Sequence, residues 1–201
     1  MAVSIKDLAR LAGVSVATVA RALKDKPDIR SETKKRVLEL AREHNYQPNI
    51  LARSLVTSRT FAVGIIVPDL TNPFFPALIK GIEKTLWEAG YSVILADTDF
   101  DTEKEVETVN EFLSRRVDGL IMSPIESQDY RKWIGSIRAA DLPFVSLIRL
   151  RDHVADTVVA ADRYGARMAV DHLLDLGRNH ILYLGNAASH WGNEERVAGY
   201  R

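Results

Sequence analysis

Residues 4–21 hold two short helical patterns separated by one tight turn, and this spacing constrains the fold more than any other feature of the chain. Ser4 and Ser15 stand just ahead of the two patterns, where N-cap residues are favoured. Gly13 permits the left-handed backbone that a turn between crossed helices often needs. Leu8 and Val19 supply apolar contacts from the two patterns. Together these signals predict a helix-turn-helix.

A third helix is predicted after a turn rich in Pro and Asp at residues 25–28. It would run from the N-cap candidate Ser31 to about His44, with Lys34 on its solvent side. Its apolar stripe is formed by Val37, Leu38, Leu40 and Ala41. Tyr46 is expected to pack back on this bundle, and Pro48 excludes continuation of the helix.

Charge is divided unevenly along the chain, although the net charge is zero. Residues 1–59 hold 12 Lys and Arg against 6 Asp and Glu, a net charge of +6. The remaining residues hold 15 against 21, a net charge of −6. A basic head on an acidic body favours a polyanionic partner for the head alone.

Composition limits the other possibilities. The 201 residues include no cysteine, which excludes disulfides and thiolate metal sites. The chain begins without the basic and apolar regions of a signal peptide, and no apolar run approaches the length of a membrane span. We therefore expect a cytoplasmic protein, associated with the nucleoid if its partner is DNA.

Beyond residue 60 the pattern alternates between strands and helices, which is typical of a doubly wound α/β layer. The apolar run at residues 61–68 predicts a strand buried on both faces of a parallel sheet. Further strands are predicted at residues 91–96, 117–122 and 143–147, with helices at 74–89, 102–115 and 130–140. A second lobe is predicted with strands at 157–161 and 181–184 and helices at 163–176 and 194–201.

Five short motifs follow one another along the head: Ile5-Lys6-Asp7-Leu8-Ala9, Ala12-Gly13-Val14-Ser15, Thr18-Val19-Ala20-Arg21, Asn45-Tyr46-Gln47-Pro48-Asn49 and Ala52-Arg53-Ser54-Leu55. In these motifs and their order, the head resembles that of the lactose/galactose repressor family of bacterial transcription regulators. The body is similar to the family's sugar-binding-protein-like core at residues 72–75, 117–119, 162–165 and 196–200. The resemblance implies an all-α helix-turn-helix headpiece followed by an α/β core of the periplasmic-binding-protein type, with its second lobe incomplete.

This resemblance implies that the second helix lies in the major groove of DNA. Val16, Ala17 and Arg21 occupy the family's base-reading positions, and the Val16-Ala17 pair resembles the galactose repressor branch. Arg21 can make a bidentate contact with guanine, worth about 1–3 kcal/mol of discrimination. Val16 and Ala17 could instead be an ordinary solvent-facing start of a helix. The remaining headpiece contacts are expected from Ser4, Ile5, Ser15 and Thr18, with the hydroxyls facing phosphates.

Residues 49–56 correspond to the family's hinge helix, which is too short to be stable alone in water. The resemblance implies that Asn49, Ala52 and Leu55 contact the minor groove, with Leu55 as an apolar wedge that kinks the duplex. The alternative is a plain interdomain linker.

Ligands of open α/β sheets bind beyond the carboxyl ends of the strands. The resemblance implies that Phe74 and Phe75 line an effector cleft there and that Arg196 donates hydrogen bonds to the effector. Asp162 and His190 are further candidates. The two phenylalanines could instead be core residues at a helix start, and Arg196 could be a solvated helix residue.

The acidic cluster at residues 97–101 lacks the spacing of a calcium loop, so we interpret it as a strand end running into helix caps. No metal, cofactor or catalytic constellation is predicted, and we do not expect an enzyme.

The expected function is a sequence-specific transcription regulator, a repressor that binds an inverted-repeat operator in double-stranded DNA as a homodimer. A small-molecule effector of the sugar type would control it, and no membrane partner is expected. The alternative is a solute-binding sensor whose headpiece does not read DNA. Predicted domains are the headpiece at 1–47, the hinge at 48–59, the first lobe at 60–156 and the start of the second lobe at 157–201. The family's core is longer, so we expect the sequence to be part of a longer protein.

Overall fold

The computed structural model describes residues 3–47, 54, 57–125, 131–150, 155–185 and 191–201. It divides into two compact units, Met1–Ser58 and Arg59–Arg201. The described part of the first unit is helical, and the second carries a parallel β-sheet flanked by helices. The predicted fold class is therefore confirmed.

Three helices form the first unit: α1 (Ile5–Ala12), α2 (Val16–Leu23) and α3 (Ser31–Glu43). Both predicted serine caps are present. Ser4 forms a reciprocal capping box with Asp7, and the Ser15 side chain accepts a hydrogen bond from the Thr18 amide. The predicted cap at Ser31 is wrong, because the helix already includes Ser31 and begins after Arg30 without a side-chain cap.

Each of these helices ends at a left-handed residue, and the next amide donates to a carbonyl five residues earlier in a Schellman motif. The left-handed residues are Gly13, Asp25 and Asn45, with φ angles of 67°, 55° and 47°. The returning bonds run from Val14 to Ala9, from Lys26 to Arg21 and from Tyr46 to Ala41, at 3.0, 3.1 and 2.8 Å. The third helix thus ends through Asn45, three residues before Pro48.

A small hydrophobic core holds the headpiece together. Leu8, Val19 and Val37, one from each helix, are completely buried. Tyr46 packs against this core as predicted, and burial raises the pKa of its phenol. Lys34 is less exposed than predicted, because its ammonium group pairs with Asp25 across the turn before α3.

The second unit contains one five-stranded sheet in which every pairing is parallel. Its strands are β1 (Ala62–Val67), β2 (Ser92–Asp97), β3 (Gly119–Met122), β4 (Phe144–Ser146) and β5 (Asp156–Thr157), in the order β2-β1-β3-β4-β5. The helices between them are α4 (Phe74–Glu88), α5 (Thr102–Ser114) and α6 (Arg131–Ala139). Every residue of β1 is buried, as its apolar run predicts.

The two faces of the sheet are covered by different helices. On one face, Ile66 and Leu120 pack with Phe112 of α5 and Trp133 of α6. On the other face, Ile65 and Val67 pack with Phe75 and its neighbours on α4. The carboxyl ends of the strands therefore meet at one edge, where α4 and α5 begin.

Two strand predictions are wrong. Of the segment predicted at 157–161 as the first strand of a second lobe, only Thr157 is in a strand: with Asp156 it forms β5, which pairs with Val145 and Ser146 of β4. This strand crosses the predicted lobe boundary at 156/157. Residues 181–184 are not a strand, since no ladder partner for them exists in the described part of the chain.

After the sheet, α7 (Asp162–Asp175) and α8 (Trp191–Tyr200) pack against each other. Gly199 makes this approach possible: a Cβ there would stand 2.1 Å from the Arg163 carbonyl oxygen and 2.9 Å from the Ala166 Cβ. None of the α7 residues is buried. The two helices form a close pair with much of its apolar surface open.

The start of β1 is anchored by the carboxylate of Asp118. Its Oδ1 accepts the Thr60 amide at 2.9 Å, and its Oδ2 accepts the Phe61 amide at 3.0 Å. The Thr60 hydroxyl donates to the Arg116 carbonyl at 2.8 Å. These bonds hold Phe61 at a φ of 55°, a conformation that bulky side chains rarely adopt. The chain therefore enters the sheet through a tightly defined joint.

Candidate DNA and effector sites

Helix α2 presents the three predicted base-reading side chains on one face. Val16, Ala17 and Arg21 are exposed, whereas Val19 and Ala22 on the opposite face are buried in the headpiece core. A helix that is anchored on one side and open on the other can enter a groove without disturbing its own packing. The geometry thus agrees with the predicted role of α2 as a recognition element.

The hydroxyl groups predicted to face phosphates stand at the beginnings of α1 and α2. Ser15 Oγ lies 2.9 Å from Thr18 Oγ1 and accepts the Thr18 amide at 3.1 Å. Ser4 Oγ donates to Asp7 Oδ2 at 2.7 Å, and this bond is the main cause of a lowered Asp7 pKa. Ile5 is half-buried against the core. The Ser4 and Ser15 hydroxyls act as N-caps, so their chief structural role is to fix where the two helices start.

Arg21 has an intramolecular partner that sequence reasoning missed. Its Nη1 donates to Asp28 Oδ2 at 2.9 Å, and both side chains are more than half exposed. The pattern at residues 25–28 predicts a turn only, and α2 ends at Leu23, so helical spacing does not relate Arg21 to Asp28. The guanidinium is therefore held at the surface of the headpiece by the turn that follows α2.

The predicted hinge contacts Asn49, Ala52 and Leu55 lie outside the described residues, as does the effector candidate His190. Ser54 and Thr57 are helical. The hinge and its minor-groove wedge stay predictions.

Phe74 and Phe75 have different environments at the start of α4. Phe75 is buried against Ile65 and Val67, which matches the alternative interpretation of a core residue. Phe74 is 58% exposed, its ring meets that of Phe75 edge-on at 5.3 Å, and its amide donates to Asn72 Oδ1 at 3.1 Å. Of the two, Phe74 alone has a ring that a ligand could reach.

Asp162 and Arg196 come together across the α7–α8 pair. Arg196 Nε donates to Asp162 Oδ1 at 2.8 Å, and the aspartate is the more covered partner. Both line a cavity of about 470 Å³ whose other walls are mainly aliphatic. A carboxylate beside a guanidinium offers both acceptors and donors to a hydroxylated ligand. The polar pair is the feature that points to a ligand, because the aliphatic walls of the cavity belong to apolar surface that α7 leaves open.

A buried carboxylate organises the segment after β3. Glu105 on α5 is 1% exposed; its Oε1 accepts the Trp133 indole N–H at 2.8 Å and its Oε2 accepts the Ile125 amide at 2.7 Å. The sequence predicts that the segment after β3 lies at the carboxyl edge of the sheet, but it does not predict that Glu105 holds the segment there. Glu105 thereby ties α5, α6 and the carboxyl end of β3 together at the edge where ligands of such sheets bind.

The acidic cluster at the end of β2 serves as caps, as predicted. Asp101 caps α5 by accepting the amides of Glu103 and Lys104 at 2.8 and 3.1 Å. Asp97 accepts the amides of Leu70 and Asp99, and the Asp99 carboxylate raises the pKa of Lys104.

Within the described ranges, no helix is long and apolar enough to cross a bilayer.

Comparison with known proteins supports this architecture over the whole chain. Residues 4–49 match the family described as "Bacterial regulatory proteins, lacI family", and residues 60–201 match "Periplasmic binding proteins and sugar binding domain of LacI family". The chain is similar to the HTH-type transcriptional regulator RegA of Clostridium saccharobutylicum, with 37% identity over 100% of this chain and 60% of that protein. It is also similar to the ribose operon repressor of Halalkalibacterium halodurans, with 33% identity over 98% of this chain and 58% of that protein.

Among solved structures, the Lac repressor dimer bound to operator and the anti-inducer ONPF superposes with a TM-score of 0.80 at 26% identity. The match covers 100% of this chain and 61% of the repressor chain. The chain thus spans about three fifths of the length of the relatives it matches. These relatives are transcription regulators and repressors by name. The two family matches together cover most of the residues, so the chain belongs to the LacI family of bacterial regulatory proteins.

Proposed function

We propose that this chain is the DNA-reading headpiece and part of the effector-binding core of a ligand-controlled transcription repressor. The observation that carries the proposal is the exposed face of α2, where Val16, Ala17 and Arg21 project from a helix whose other face is buried. The excess of basic residues before residue 60 supports a DNA partner. The action is in the cytoplasm, at operator DNA, and it is binding rather than catalysis.

The operator is an inverted repeat bound by a homodimer. Support comes from the Lac repressor, a relative that was solved as a dimer on its operator. A two-fold protein reads two half-sites related by the same symmetry. The predicted Leu55 wedge favours an operator with a pyrimidine–purine step at its centre, because such steps kink easily.

Selection of binding sites from a pool of random duplexes at moderate salt tests this proposal. The expected product is an inverted repeat with a guanine in each half-site. Arg21→Ala should remove the preference for that guanine. Arg115→Ala, which deletes an equally charged side chain of the second unit, should leave the selected sequence unchanged.

Failure to enrich any sequence has two causes that can be separated. Two headpieces joined covalently restore a bivalent reader if the chain does not dimerise. If the joined headpieces also enrich nothing, the headpiece does not read DNA and the chain is a solute-binding sensor. Weak binding that is insensitive to salt points the same way.

The effector is a small sugar or sugar derivative that binds near Arg196 and Asp162. The name of the family's core domain and the ribose operon repressor support this class of ligand. Thermal-shift screening with a panel of pentoses, hexoses and their phosphates identifies a stabilising ligand. Arg196→Ala should abolish that shift and effector-induced release from DNA while operator affinity is kept. Arg178→Ala, an exposed arginine beyond α7, is the control; an unchanged shift in Arg196→Ala removes Arg196 from the site.

A further inference from the structure

The turn between α2 and α3 places a carboxylate against the one arginine of the α2 recognition face. Asp28 Oδ2 accepts a hydrogen bond from Arg21 Nη1 at 2.9 Å, with 57% of the arginine side chain and 53% of the aspartate side chain exposed. Pairs this exposed contribute little to folding stability. The pair is therefore best understood through what it does to the guanidinium.

The position of Asp28 is set by the turn and not by its own side chain. The Lys26 amide returns to the Arg21 carbonyl at 3.1 Å, so the turn is tied to the same residue whose side chain it meets. Pro27 fixes the backbone just before Asp28. Ile29, just after it, packs against the headpiece core. Asp28 is thus held in place from both sides.

A single hydrogen bond to Asp28 leaves most of the arginine's donors unused. A guanidinium carries five N–H groups in a rigid fork, and a bidentate contact with guanine needs two of them. Holding one edge restricts the long side chain, so less conformational entropy remains to be lost when the other donors bind. The carboxylate also repels phosphates where no guanine is present to compensate, which makes non-cognate DNA less favourable.

We propose that Asp28 is a specificity-determining residue that positions Arg21 for guanine and disfavours duplexes lacking that guanine. The inference rests on the proposed DNA-reading function and adds a residue of the turn to the recognition surface. Asp28 acts through Arg21, so its effect should vanish when Arg21 is absent. Removing Asp28 should also change discrimination more than removing another negative charge of the same turn.

The turn supplies a matched control for charge alone. Asp25 is also an exposed acid of this turn, but it pairs with Lys34 of α3. Asp25→Asn removes the same charge without releasing Arg21, and asparagine tolerates the left-handed backbone of this position, so the turn is kept. Asp28→Asn removes the charge of Asp28 but keeps an acceptor oxygen, so it tests the charge and the hydrogen bond separately.

The experiment measures dissociation constants of the full chain for three duplexes. These are the selected operator, the same operator with its half-site guanines replaced, and a scrambled duplex, each at two salt concentrations. Discrimination is the ratio of the first two constants, from which a uniform electrostatic change cancels. In Asp28→Ala discrimination should fall about three- to tenfold, since a good bidentate base contact contributes a factor of this order or more. Binding to the scrambled duplex should tighten.

Three further results complete the test. Asp25→Asn should tighten scrambled binding and keep discrimination. Asp28→Asn should fall between wild type and Asp28→Ala. In an Arg21→Ala background, Asp28→Ala should change discrimination no further. Circular dichroism melting of each variant verifies that the headpiece is folded.

The proposal is overturned if Asp28→Ala discriminates as well as wild type, or if Asp25→Asn loses as much. It is also overturned if discrimination rises, because Asp28 would then compete with guanine for Arg21. If the wild-type chain selects no sequence at all, the proposed function fails first and this inference with it.

Discussion

The headpiece and the α7–α8 pair are both helical, yet they differ in how their apolar side chains are covered. The headpiece buries Leu8, Val19 and Val37 completely within three short helices. On α7, by contrast, Met168 is 54% exposed and Leu174 is 48% exposed. The difference teaches when exposure indicates a binding surface. The exposure of Val16 is informative because Val19, on the opposite face of α2, is buried in the core. An exposed leucine of α7 is not informative, because most apolar residues of that helix are also exposed.

The largest expected effect comes from a pair of leucine truncations, one in each region. Leu8→Ala should cost about 2–5 kcal/mol, because it leaves a cavity in a small and fully packed core. Leu174→Ala should change the free energy of unfolding by no more than about 0.5 kcal/mol, since much of the side chain is already in water. Chemical denaturation followed by circular dichroism measures both.

Tryptophan fluorescence supplies the control for this pair, since all three tryptophans lie beyond residue 59. The fluorescence transition should be unchanged in Leu8→Ala. Similar losses in the two variants would mean that α7 is covered after all, and the contrast between the regions would disappear.

A glycine pair tests the close approach of α7 and α8 at Gly199. Gly199→Ala should destabilise the second unit by about 1–3 kcal/mol, because the new methyl group meets the backbone of α7. Gly165→Ala on α7 has open space around it and should stabilise by about 0.5–1 kcal/mol. Thermal unfolding monitored by tryptophan fluorescence compares them. A harmless Gly199→Ala would show that the helices can separate freely.

The caps of the headpiece give a smaller effect. Ser4→Ala should cost about 1 kcal/mol, because the capping box with Asp7 is lost from the start of α1. Urea unfolding of the full chain, followed by circular dichroism, measures the loss, and tryptophan fluorescence reports the second unit separately because all three tryptophans lie beyond residue 59. An unchanged midpoint would contradict the role of the box.

The pH dependence of this cap is the subtlest test. The Ser4 hydroxyl, then the Ser4 amide, hold the pKa of Asp7 below its ordinary value of 3.8. A lowered pKa in the folded state adds stability that is present above pH 3.8 and is lost as the pH falls through the lower folded value. Wild type should therefore lose more stability than Ser4→Ala on acidification below about pH 4. Ser15→Ala, whose cap has no acidic partner, should keep the wild-type acid response.

Elements fixed by local signals were predictable from the sequence. Helix α5 begins at its predicted start because Asp101 caps it shortly after β2 ends, and α4 begins at its predicted start directly after Pro73. The strand errors at 157–161 and 181–184 arose because a strand exists only with a hydrogen-bonded neighbour, which a local pattern does not specify. The pairing of Asp162 with Arg196 joins residues far apart in sequence, so the resemblance named both residues but not their contact.

The joint at Asp118 has a consequence for how such proteins can be assembled from parts. Its two carboxylate oxygens receive backbone amides, and a backbone amide is the same whatever side chains precede it. A different headpiece joined before Thr60 would leave all of these bonds unchanged, whereas a junction after Phe61 would replace Thr60 and lose the bond from its hydroxyl to the Arg116 carbonyl. Recombination at this joint can therefore attach a headpiece of different DNA specificity to the sheet without changing the bonds to Asp118.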